Sequence, residues 1–251
     1  MLISVASGKG GTGKTTVAVS LAASLHGSVY IDCDVEEPNG HLLLKPEIQS
    51  EVALKKLLPV IDYAKCNFCG KCVDVCEYNA LLNFKTEIVL LEELCHSCGA
   101  CSYLCPENAI TEEGKIVGFI REGISKINDV KFIDGILNIG EAASTPLIKE
   151  VKAKALPGRI NIIDSPPGTS CSMVEVVRDV DFCILVTEPT PFGLHDLKLA
   201  VDVLLLLKVP FGVIINKYDD SFKELEKYLD EMKILILLKI PFNKKIAEDY
   251  S

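Results

Sequence analysis

Positive charge is scarce in this chain of 251 residues. Lysine and arginine number 26 against 35 aspartates and glutamates, a net charge of -9. Phosphate backbones are gripped by basic surfaces, so nucleic-acid binding is not expected as the main task. Long hydrophobic runs are also missing. The longest, around Val201–Leu207, falls short of the roughly 20 residues that span a bilayer, and stable membrane insertion is not expected. Nor is there a terminal helix rich in Lys and Arg to lie on a membrane surface. A first strand beginning at Leu2 leaves no room for a signal peptide, so the expected location is cytoplasmic. Hydrophobic residues make up 49%, enough for a substantial core, which excludes a disordered chain.

Cysteine is abundant instead. Eight of the eleven fall between Cys66 and Cys105. Grouped cysteines in a cytosolic chain hold metal more often than disulfides. On either side the chain has an α/β rhythm. Strands are expected at Leu2–Ala6, Val29–Ile31, Ile160–Ile163, Cys183–Val186, Phe211–Ile215 and Ile234–Leu238. Helices are expected at Thr15–Leu25, Leu194–Leu207 and Ser221–Met232, with Leu42–Leu58 helical in part around Pro46. This pattern implies a mostly parallel α/β sheet covered by helices. Residues 1–59 and 119–251 are expected to build that sheet together, and 60–118 to form a small α+β insert.

Directly after the first strand stands Gly8-Lys9-Gly10-Gly11-Thr12-Gly13-Lys14-Thr15-Thr16, which matches G-x-x-x-x-G-K-[ST] in full. The glycines let backbone N–H groups turn towards phosphate oxygens, and the following helix aims its positive end at the same anion. Lys14 is expected on the β- and γ-phosphates of ATP or ADP, and the Thr15 hydroxyl on Mg²⁺. A chance glycine-rich turn is the competing reading; a strand before and a helix after oppose it. Two carboxylates end apolar strands, Asp34 in Asp32-Cys33-Asp34 and Asp164 before Ser165-Pro166-Pro167-Gly168, and Asn216 ends another.

The second lysine, Lys9, makes the sequence resemble the deviant Walker A ATPases. That class includes the MinD and ParA partitioning ATPases, the Mrp-type cluster carriers and the nitrogenase iron protein. The resemblance implies a P-loop NTPase fold and an ATP-dependent homodimer, with Lys9 reaching the partner's nucleotide. It implies that Asp34 activates the attacking water, Asp32 being the less favoured candidate. Asp164 would bind the Mg²⁺ shell, the Gly168 amide would sense the γ-phosphate, and Asn216 would read the adenine edge, with Glu188-Pro189-Thr190 walling the base pocket.

The cysteines form a repeat. Cys66, Cys69, Cys72 and Cys76 recur 29 residues later as Cys95, Cys98, Cys101 and Cys105, and Asn79-Ala80-Leu81 recurs as Asn108-Ala109-Ile110. Each half reads C-x2-C-x2-C-x3-C, the [4Fe–4S] spacing of bacterial ferredoxins. The segment resembles a two-cluster ferredoxin. That implies crossed ligation: Cys66, Cys69, Cys72 and Cys105 on one cluster, Cys95, Cys98, Cys101 and Cys76 on the other. Cys105 precedes Pro106 as in ferredoxins, but Cys76 precedes Glu77, whose carboxylate would make the clusters inequivalent. Zinc, in an air-purified sample, and disulfides are the competing occupants. Cys171 sits seven residues after Asp164, where the nitrogenase iron protein has a cluster ligand. A small residue at a dimer interface is the preferred reading, since no second ligand accompanies it. Cys33 and Cys183 read as core residues. His26, His41, His96 and His195 show no ligand spacing, and His96 is expected to face solvent.

These features favour an ATPase coupled to iron–sulfur redox chemistry, acting on an unidentified redox or iron–sulfur partner. A cluster-carrier ATPase and a partitioning-type spatial organiser with structural clusters are the alternatives. The absent C-terminal CxxC pair opposes the first, and the acidic charge opposes the second.

Overall fold

The computed structural model describes residues 1–243. The chain divides into two compact units: Met1–Val52, Ile120–Leu137 and Ser144 onward in the first, and Ala53–Phe119 with Asn138–Ala143 in the second.

The first unit begins with β1 (Leu2–Ala6), α1 (Lys14–Ala23), β2 (Val29–Asp32) and the short α2 (Gly40–Leu44). Local spacing predicts Leu42–Leu58 to be helical in part, interrupted at Pro46, and does not predict a strand there. The helix α2 stops at Leu44, and β3 (Glu47–Ile61) comes next as a long strand. Lys45 takes a left-handed φ of 44° and Pro46 cannot continue a helix, so the chain leaves the helical path there. The strand itself is decided by pairing with the distant β6, a contact that local spacing does not report.

Within the second unit come α3 (Lys71–Asp74), the antiparallel pair β4 (Leu81–Asn83) and β5 (Ile88–Leu90), a 3₁₀ turn at Glu92–Leu94, and α4 (Ala100–Tyr103). The long β6 (Ile110–Ile124) returns the chain to the first unit. There β7 (Lys131–Leu137), α5 (Thr145–Lys152), β8 (Asn161–Asp164), α6 (Cys171–Val177), β9 (Phe182–Thr187), α7 (Pro191–Leu207), β10 (Phe211–Tyr218), α8 (Glu224–Glu231) and β11 (Ile236–Pro241) complete it. β7, α5 and α6 were not anticipated from the sequence.

The large sheet runs β11-β10-β9-β1-β8-β2-β7-β6-β3. Every pairing from β11 across to β7 is parallel. Ligands of open parallel sheets bind beyond the carboxyl ends of the strands, and β1, β2 and β8 end there on the phosphate loop, Asp32 and Asp164. A core of Val5, Val17, Ala18, Tyr30, Phe132 and Ile162 holds α1 to the sheet beneath that edge. Each large apolar side chain so buried contributes about 1.5–3 kcal/mol.

The internal repeat is visible in the backbone. Gly70 and Gly99 precede α3 and α4 with φ of 81° and 71°; Phe68 and Ser97, then Asn79 and Asn108, take left-handed φ at matching positions. Ala80 and Ala109 are both buried.

Candidate functional site

Gly13 caps α1 at φ 86°, and no side chain of the described residues caps the free N–H groups of the first turn. Such an end attracts anions. Two glycines here are required by close approach. A Cβ on Gly13 would strike the Asn216 side-chain amide, and one on Gly8 the Asp196 carbonyl of α7. Asn216 Nδ2 donates to the Thr12 carbonyl at 2.8 Å, and Lys217 Nζ to the Gly11 carbonyl at 3.0 Å, so β10 braces the loop. The Thr12 Oγ1 is buried with no partner among the described residues.

Lys14 is buried and pairs with Asp164 Oδ1, with Thr15 Oγ1 3.4 Å from its amine. The Tyr30 hydroxyl lies 3.0 Å from Asp164 Oδ2 and 3.4 Å from Asp32 Oδ2. A phenol has one hydrogen to give, and the shorter contact takes it. Burial, with Asp164 beside it, pushes the Asp32 carboxyl up to about 8. The Tyr30 contact to Asp32 is the longer and weaker of the two. Asp32 also accepts from the Gly40 and Asp34 amides at 3.0 and 3.1 Å. Asp34, on the loop after β2, is raised to about 6 by burial against the pull of Lys14. That is within reach of a general base at neutral pH. The Gly168 amide, at φ 90°, donates to the Ser7 carbonyl at 3.0 Å in this state.

Lys9 is tied within its own chain to Glu188, which also takes Lys217 at 3.2 Å. Burial works to raise the Glu188 carboxyl, but these two lysines outweigh it and hold it below the usual range. The sequence alone marks Glu188 only as a wall of the base pocket and gives no sign of Tyr30, because a tyrosine inside an apolar strand carries no local signal. Beside the loop, among the described residues, lies an open cavity of about 710 Å³. Gly13, Thr16 and Asn216 line it together with Ile184, Leu238 and Phe242.

In the second unit the cysteines surround two separate hollows. Cys66, Cys69, Cys72 and Cys105 line one and Cys76, Cys95, Cys98 and Cys101 line the other, each of about 20 Å³. Repeat-related amides point at sulfur: Ala80 N–H at Cys76 Sγ, 3.2 Å, and Ala109 N–H at Cys105 Sγ, 3.3 Å. Among the described residues no three of His, Cys, Asp and Glu converge closely enough to hold a single metal ion. None of the eleven cysteines, all of them among the described residues, forms a disulfide. Cys33 and Cys183 are buried in the first unit, and burial pushes the Cys183 thiol up to about 12. Cys171 opens α6 and is exposed. His96 is exposed, as expected, and also stacks on Tyr78 with ring centroids 3.6 Å apart.

A bare helix N-terminus beside a lysine–carboxylate pair, at the carboxyl edge of a parallel sheet, defines a nucleotide-binding P-loop protein. Comparison with known proteins gives the family. The profile of the CobQ/CobB/MinD/ParA nucleotide binding domain matches residues 3–251, and the chain belongs to that family. Two relatives are proteins of Methanocaldococcus jannaschii. MJ0579 is 33% identical, covering 100% of this chain and 89% of its own length; MJ0578 is 37% identical, covering 86% and 78%. Similar folds include the septum site-determining protein MinD of Pyrococcus horikoshii, complexed with Mg-ADP, at TM-score 0.59 and 20% identity over 99% of this chain and 84% of that one. Apo McdA of Cyanothece has a TM-score of 0.57 at 15% identity over 100% and 89%. No helix of the described residues is long and apolar enough to cross a membrane.

Proposed function

We propose that this chain is a Mg²⁺-dependent ATPase whose nucleotide cycle is coupled to electron transfer through two [4Fe–4S] centres. The observation that carries the reading is the crossed grouping of the cysteines. Each hollow takes three cysteines from one repeat and the fourth from the other, as two-cluster ferredoxins do. A cubane takes one thiolate per iron, so its ligands ring a hollow rather than meet at a point, and the Ala80 and Ala109 amides already donate to the Cys76 and Cys105 sulfurs. Bound clusters would supply one-electron storage. Cys66, Cys69, Cys72 and Cys105 would hold one, and Cys95, Cys98, Cys101 and Cys76 the other.

In the first unit, Gly8 to Thr16 would cradle the phosphates of ATP. Lys14 would leave Asp164 for the β- and γ-oxygens, freeing that carboxylate and Thr15 for the Mg²⁺ shell. Asp34 would take the proton of the attacking water. The cavity beside Asn216 would receive the base, and the Gly168 amide would change partner when a γ-phosphate is present. Lys9, released from Glu188, would reach the nucleotide of a second copy, making the active form an ATP-dependent homodimer.

Anaerobic reconstitution with iron and sulfide counting tests the first half: about eight irons per chain are expected. EPR of the reduced protein with and without ATP tests the second. Spectra and potentials that ignore nucleotide would end the coupling reading. The fold likeness to MinD and McdA favours one other reading, a spatial organiser with structural clusters. It predicts hydrolysis indifferent to cluster oxidation state.

A further inference from the structure

The two hollows come from one repeated unit, yet repeat-related positions around them differ in chemistry. At the hollow lined by Cys66, Cys69, Cys72 and Cys105, position 68 is Phe68, and its ring stacks on Tyr63. At the other hollow the matching residue, 29 positions on, is Ser97. Its backbone takes the same left-handed turn, φ 53° against 56°, so the two side chains leave equivalent places. The Ser97 N–H approaches Cys95 Sγ at 3.5 Å. Its Oγ is buried and has no hydrogen-bond partner among the described residues. A second pair differs likewise. Asn67 donates to Glu107 at 3.0 Å beside the first hollow, whereas the matching His96 and Tyr78 stack beside the second.

A buried hydroxyl without a partner is costly, and it is retained where something absent from the protein accepts its hydrogen. Ser97 lines the hollow with Cys76, Cys95, Cys98 and Cys101, so the acceptor belongs in that hollow. We propose that the Ser97 hydroxyl donates a hydrogen bond to sulfur of the centre held there, and so sets the two centres apart in reduction potential. The inference rests on the iron–sulfur reading above. One-electron reduction adds a negative charge to a cluster, and a donor to its sulfur stabilises the reduced form more than the oxidised one. Phe68 offers the other centre no such donor.

The test uses the full chain, reconstituted anaerobically, and follows reduction by dithionite with EPR in wild type, Ser97→Ala and Ser97→Thr. Iron is counted in each. In Ser97→Ala the reduced-to-oxidised ratio of one centre at a fixed poise should fall about fivefold, the worth of one hydrogen bond. The other centre should not move, and Ser97→Thr should restore the wild-type titration. Titrations that superimpose, that shift both centres equally, or that lose iron from one hollow in Ser97→Ala overturn the inference. A wild-type chain holding far fewer than about eight irons instead overturns the iron–sulfur reading beneath it.

Discussion

Asp32 and Asp164 stand side by side in register on the parallel strands β2 and β8, and neither has any exposed surface. Among the described residues only one positive charge, Lys14, is bonded to the pair, and it sits on Asp164. Two buried carboxylates with one cation do not both ionise cheaply. Asp32 takes the proton, and Tyr30 holds the two acids together.

Stability should therefore depend on pH through Asp32. Its folded pKa of about 8 lies far above the ordinary aspartate value of 3.8. The native state then keeps a proton that the unfolded chain releases, so this contribution is complete below about pH 4 and is lost as pH rises through about 8. Asp32→Asn mimics the protonated acid at every pH. In the nucleotide-free protein its melting temperature should exceed wild type at pH 8.5, and the difference should shrink steadily as pH falls and vanish only near pH 4. Each tenfold change in proton affinity is worth about 1.4 kcal/mol, so even a fraction of the displacement is measurable by calorimetry. Parallel curves across that range would refute the assignment.

Glu188→Gln should free Lys9. Both of its ion pairs are partly exposed, so unfolding free energy should change by less than about 1 kcal/mol. The effect belongs to assembly instead. In sedimentation experiments with ATP, the variant should dimerise at severalfold lower protein concentration than wild type. Lys9→Ala should bind nucleotide but hydrolyse it at least about 100-fold more slowly, as expected for a charge supplied to the transition state.

The crossed hollows predict which cysteines act together. Cys76→Ala should remove the same EPR signal as Cys95→Ala, although the two residues lie in different repeats. Cys105→Ala should share its loss with Cys66→Ala. Each single variant should retain about half the iron. If Cys76→Ala instead matched Cys66→Ala, each repeat would hold its own centre and the grouping would be wrong.

Arg121 and Asp134 give a purely structural prediction. Asp134 has no exposed surface, and Arg121 meets both its oxygens, Nε to Oδ1 at 3.0 Å and Nη2 to Oδ2 at 2.5 Å. Arg121→Ala leaves a buried carboxylate alone and should cost about 3 kcal/mol. In thermal unfolding that is a fall of roughly 6–12 °C for a chain of this size. The double variant Arg121→Met, Asp134→Leu should recover most of it, because an apolar pair of similar volume has no charge to desolvate.

Much of the molecule was written in local spacing. Gly8 to Thr16 announces a turn, a helix start and an anion site within nine residues, and the 29-residue cysteine repeat announces a duplicated unit. Both are short-range arrangements, fixed by which residues tolerate a given backbone and reach a nearby point, so they can be read without the fold. The membership of each hollow was also implied by resemblance to known spacing. The strand at Glu47–Ile61 was not legible, because its partner β6 lies far along the chain. The same holds for the proton on Asp32, the Tyr30 bridge, the Glu188 hold on Lys9 and the lone hydroxyl of Ser97. Each depends on side chains brought together by strand register or loop packing, and on burial that removes water. The sequence by itself determined the glycine-rich loop with its two lysines and the duplicated spacing of the eight cysteines. The tertiary structure decided their charge, their present partners and which polar atoms are left waiting for one, since those depend on distance and solvent exclusion and not on order along the chain.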